Sequence, residues 1–91
     1  MTQNIAIELN AFERDFILKH IWYSLSNELI SNLKAVLPNK QGWIKCKVNK
    51  YELESMIDNL SAESNHSKNK QVQVVAAELE EYLKNYEARI S

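Results

Sequence analysis

The chain has 91 residues, 45% of them apolar and 25% charged, with a formal net charge of −1. That length suits one hydrophobic core, so a single domain over residues 1–91 is expected. The composition excludes disordered and collagen-like classes, and the near-neutral balance excludes a strongly cationic binder of nucleic acid or anionic membrane.

From the N-terminus, Asn4 to Leu9 alternates, with Ile5, Ile7 and Leu9 on one face and Asn4, Ala6 and Glu8 on the other. This is the period-2 pattern of a half-buried strand. Asn10 and Glu13 then form a capping-box pattern, in which the asparagine accepts from a first-turn amide and the glutamate reaches back to the cap. The helix that opens there meets no glycine or proline from Asn10 to Leu37. Its apolar residues (Phe16, Ile17, Ile21, Leu25, Leu29, Leu33, Val36 with Leu37) keep helical spacing until Pro38 stops it. At 1.5 Å per residue such a helix runs about 40 Å, whereas a compact chain of this size measures roughly 30 Å across. Two outcomes resolve that conflict. Either the helix bends around Ser24-Leu25-Ser26-Asn27, whose residue types compete with helical hydrogen bonds, or its far end is covered by another subunit.

Past Gly42, the run Trp43 to Val48 alternates again, with Ile44, Cys46 and Val48 facing away from Trp43, Lys45 and Lys47. If the two strands pair, Glu8 falls near Lys45 or Lys47 on the solvated face. Asn49 and Glu52 repeat the capping box. The similarity continues at an offset of 39 residues, relating residues 7–21 to residues 46–60: Phe12 matches Tyr51, Asp15 matches Glu54, Ile17 matches Met56 and Ile21 matches Leu60. An internal repeat accounts for this, and so does shared local physics, since any strand entering a capped helix selects these residue types. The second helix buries Leu53, Met56, Ile57 and Leu60, then yields to the polar run 61–69, which reads as the most mobile internal loop. A third helix, about Lys70 to Ile90, sets Val72, Val75, Leu79, Tyr82, Leu83, Tyr86 and Ile90 on one side and most of its glutamates on the other.

The expected fold is therefore α+β and predominantly α-helical: strand, long helix, strand, helix, helix, with one short two-stranded β pair and the helices on one face. An all-α helical bundle is the second choice. Cys46, alone in the chain, rules out an intramolecular disulfide and any zinc site built on cysteine pairs. With no cationic, apolar leader at Met1 and no run of roughly 18 apolar residues, a cytoplasmic protein without a membrane partner is expected.

Chemistry has little to rest on. His20 and His66 fit no metal spacing, so neither metal nor cofactor is expected. Cys46 is flanked by two lysines, which would favour a thiolate, but it shares the buried face with Ile44 and Val48. Glu13 with Asp15, and Glu52 with Glu54, are two apart on a helix and do not face each other. No phosphate loop or nucleophile elbow is present, so no catalytic residue is assigned and the protein is read as non-enzymatic.

What remains is contact. Trp22, Tyr23, Trp43, Tyr82 and Tyr86 belong to the residue types that dominate interface energetics, although at least half of them are expected to be core. The expected function is a small protein–protein interaction module of inhibitor, adaptor or scaffold type. It is expected to be homodimeric and to occlude or bridge another macromolecule, through a protein partner of unassigned identity. The alternative is a nucleic-acid-binding accessory protein, because Lys34, Lys40, Lys45, Lys47 and Lys50 occur without an intervening acid and with Trp43 among them. No arginine is there to make bidentate contacts.

Overall fold

A computed structural model describes residues 4–90, the side chain of Ile90 excepted. The element order is β1 (Asn4–Asn10), α1 (Ala11–His20), a 3-10 turn (Trp22–Ser24), α2 (Asn27–Ala35), β2 (Trp43–Asn49), α3 (Lys50–His66) and α4 (Lys70–Ile90). This is the expected α+β fold in the expected order.

The strands pair antiparallel, with Ile5 opposite Val48, Ile7 opposite Cys46 and Leu9 opposite Ile44. Those six side chains share the ribbon's inner face. All but half-buried Ile5 are buried, whereas Ala6, Lys45 and Lys47 on the outer face are exposed. A two-stranded ribbon is marginal alone. Here its inner face closes a core with Ile17, Ile21, Leu29 and Leu33 from the first half of the chain and Leu53, Met56, Leu60, Leu79 and Leu83 from the second. No polar side chain is buried among the described residues.

Both capping boxes form. Asn10 Oδ1 accepts from Glu13 N at 2.7 Å while Glu13 Oε1 accepts from Asn10 N at 2.9 Å, and Asn49 with Glu52 repeats this at 2.8 and 2.9 Å. Ile7 and Cys46 face each other across the ribbon and are also separated by the 39-residue offset. A local two-fold axis therefore passes between them and relates β1-α1 to β2-α3. Each half is a strand, a capped helix and a second helix, but α4 has 21 residues and α2 only 9.

The stretch expected as one long helix is bent, the first of the two outcomes the sequence allows. A straight helix of about 40 Å exceeds even the longest molecular dimension, 36 Å. α1 closes at Ile21, which is fully buried; Ser24 Oγ donates back to Ile21 O at 2.7 Å, Leu25 is extended, and Ser26 Oγ caps α2 by accepting from Leu29 N at 3.1 Å. The serines thus act as terminators rather than helix interior. Leaving α2, the chain turns at Asn39–Gly42, where Gly42 N donates to Asn39 O at 2.9 Å and Gly42 adopts φ 87°, a left-handed conformation that glycine reaches without strain.

The polar run 61–69 corrects the sequence reading. α3 continues through it to His66, leaving residues 67–69 as the connection to α4. Ala62 and Glu63 are good helix formers, and Ser64 Oγ satisfies itself on Ser61 O at 2.9 Å, so a polar composition here marks a solvated helix face. Asn69 Oδ1 then caps α4, accepting from Gln71 N at 2.9 Å.

Candidate functional site

The tyrosines of α4 are used inside the molecule. The Tyr82 hydroxyl donates to Glu8 O, and Tyr86 Oη accepts from Glu8 N at 3.3 Å; the two hydroxyls lie 3.0 Å apart, and their rings meet edge-on at 5.4 Å. Because both polar groups of Glu8 point away from β2, alternation along the ladder turns those of Lys45, Lys47 and Trp43 outward as well. Trp43 is served by Asn39, whose N donates to Trp43 O at 2.8 Å and whose Oδ1 accepts from Trp43 N at 3.0 Å. Tyr82 and Tyr86, named from sequence among the candidate interface aromatics, thus find a partner for their hydroxyls on β1. Burial first, and then the hydrogen bond with Tyr86, push the Tyr82 pKa well above the ordinary phenol value.

The lysines of the middle segment are spread over several elements. Lys45 and Lys47 share the ribbon's outer face, where Trp43 is half-buried at one end; Lys34 lies on α2, Lys40 in the turn, and Lys50 opens α3. Folding supplies the acids that the local sequence lacks: Lys45 stands 3.9 Å from Glu8, and Lys50 stands 3.9 Å from Glu54. Exposed pairs of this kind contribute under about 1 kcal/mol each, but they set an acid beside two of the five lysines of the cationic stretch.

Trp22 and Tyr23 occupy the 3-10 turn at the helix break. They pack edge to face at 6.2 Å, and each leaves 56% of its surface in solvent. The turn is anchored on both sides, by buried Ile21 before it and by Ser55 Oγ, which donates to Ser24 O at 3.4 Å, after it. Two large rings are therefore held out on a fixed support, with no place in the core.

A further apolar feature was not assigned from sequence. α1 and the first turns of α4 enclose an open groove of about 750 Å³, floored by Phe16, Val72 and Val75 and flanked by Phe12 and Val74. Phe12 is 63% exposed and Val74 57% exposed. Lys19, Lys70 and His20 line its rim, the His20 ring resting on Phe16 at a centroid distance of 4.5 Å, while Asp15 is held by Arg14 at 3.1 Å. The equivalent place in the other half is different: Phe16 corresponds to Ser55, Lys19 to Asp58 and His20 to Asn59. There Ser55 and Glu52 reach across to Ser24 and Ser26, the latter contact at 3.4 Å, and close the gap with polar bonds. The one sequence signal for the groove is that Phe12 and Val74 fall off the buried stripes of their helices.

Cys46 is buried, and desolvation followed by the charge of Glu52 raises its pKa, the opposite of an activated thiol. Among the described residues no three His, Cys, Asp or Glu side chains are grouped to hold a metal ion, and no helix is long and apolar enough to cross a membrane. Comparison with protein-family models, curated proteins and solved structures returns no match.

Proposed function

We propose that this chain is a small non-enzymatic interaction protein that works as a homodimer and occludes or bridges another macromolecule through an exposed aromatic surface. The observation that carries the reading is the Trp22–Tyr23 pair. Large aromatics on a rigid support contribute much contact area at little entropic cost, and leaving both rings more than half exposed has no stabilising return within the monomer. The test is recovery of a binding partner by the wild-type chain and by a Trp22→Ala/Tyr23→Ala variant of unchanged helicity and mass. A protein retained by the first and lost by the second is expected; equal retention by both would overturn the assignment.

The second reading is nucleic-acid binding, favoured by Lys45 and Lys47 side by side on the outer face of a two-stranded ribbon, an element that the DNA major groove can admit. It ranks lower because the net charge is −1 and Glu8 shares that face. Lys45→Glu/Lys47→Glu should abolish salt-sensitive retention on immobilised nucleic acid if it holds; unchanged retention removes it.

A further inference from the structure

The homodimer in that reading requires a face, and the α1/α4 groove supplies one. A two-fold interface brings one surface against itself, so it must carry both a projection and a recess, and both a cation and an anion. Phe12 and Val74 project; Phe16, Val72 and Val75 floor the recess beside them. On α4, Lys70 lies four residues before Val74 and Glu78 four after it, so the three share one exposed stripe with charge of opposite sign at its ends. Among the described residues neither Lys70 nor Glu78 has an ion pair, unlike Glu80 and Lys84, which stand 3.1 Å apart. The low net charge also leaves little general repulsion between copies.

We infer that a second copy of this chain docks on the α1/α4 face, the two α4 helices crossing antiparallel at Val74 so that Lys70 of each copy meets the partner's Glu78. Antiparallel crossing at Val74 follows from the stripe, because a two-fold axis through that residue exchanges the positions four before it with those four after it. Phe12 and Val74 of each copy then enter the partner's groove, whose volume of about 750 Å³ has room for both side chains. A two-fold interface uses the same face on both copies, so assembly stops at two copies instead of propagating.

Light scattering coupled to size exclusion over a concentration series decides this. The wild type should show twice the 10.6 kDa chain mass, and Val74→Glu the chain mass alone. Lys70→Glu or Glu78→Lys alone should weaken association about tenfold, since two attractive pairs become repulsive, and Lys70→Glu with Glu78→Lys should restore it. Phe12→Ser, at another exposed position, provides an apolar check should Val74→Glu disturb the helix, with circular dichroism reporting the fold. A wild type of chain mass at every concentration, a dimer indifferent to both Val74→Glu and Phe12→Ser, or a double charge variant no stronger than the singles would overturn the inference. A monomeric wild type whose groove binds an acidic peptide instead would do so too. A monomeric wild type would also remove the homodimer from the proposed function, but none of these outcomes bears on the Trp22/Tyr23 contact test, so the aromatic surface and the α1/α4 face fail separately.

Discussion

Glu8 shows how one residue connects three elements. Its side chain faces Lys45 across the ribbon, while its amide and carbonyl are taken by Tyr86 and Tyr82 from a helix more than seventy residues away in sequence. Removing the Tyr82 hydroxyl leaves that carbonyl to water, and Tyr82→Phe should cost about 1 kcal/mol in urea unfolding at neutral pH. The pH dependence has a definite sign. The Tyr82 proton is held more tightly in the folded chain than in the unfolded one, so its contribution is complete below pH about 10 and is lost as pH rises beyond it. The wild type should therefore lose stability between pH 9 and 11 more steeply than Tyr82→Phe. Cys46, whose pKa is also raised, is common to both proteins and cancels in the comparison.

At the level of elements, the two strand-to-helix junctions are near copies. Asn10→Ala and Asn49→Ala should each cost about 1 kcal/mol, and by similar amounts, because the paired cap distances agree closely; denaturant midpoints check both. These junctions were legible in the sequence because strand alternation and capping are local, needing only three or four residues to state. The helix break was half legible: Ser24 and Ser26 announced a competing hydrogen-bond pattern, but only the burial of Ile21 and the size of the core fix the bend there. The run at 61–69 misled because turn-forming composition and a polar, partly solvated helix end look alike in one dimension. Of the groove only Phe12 and Val74, off the buried stripes, were legible, since the recess itself arises where α1 meets the start of α4, some fifty residues further along the chain.

For the molecule as a whole, the local two-fold separates what the fold requires from what differs between the halves. The inner-face positions match across the axis, as do Ile17 with Met56 and Ile21 with Leu60, while buried Leu53 answers to Arg14 and the groove positions Phe16, Lys19 and His20 do not match Ser55, Asp58 and Asn59. Core and rim should respond accordingly. Phe16→Ser, which removes a buried ring, should cost about 3–5 kcal/mol. Phe12→Ser and Tyr51→Ser, at equivalent exposed positions, should stay within about 0.5 kcal/mol of wild type. Thermal or urea unfolding of the three variants distinguishes a floor that belongs to the core from side chains kept for contact.

The ribbon's two long edges have a consequence of their own. β1 is met by the tyrosine hydroxyls at Glu8 and β2 by Asn39 at Trp43, but beyond that point the outward amides of Lys45 and Lys47 have no strand beside them among the described residues. An open edge next to Ile44, Cys46 and Val48 is a template for fibril growth, and charged side chains on both exposed positions are what keep a second strand from adding to it. Lysine at 45 and 47 therefore acts as a gatekeeper against amyloid-like stacking whatever else it contacts. Exchanging the pair for threonine would leave the monomer folded and convert its most β-prone segment into a nucleus for aggregation.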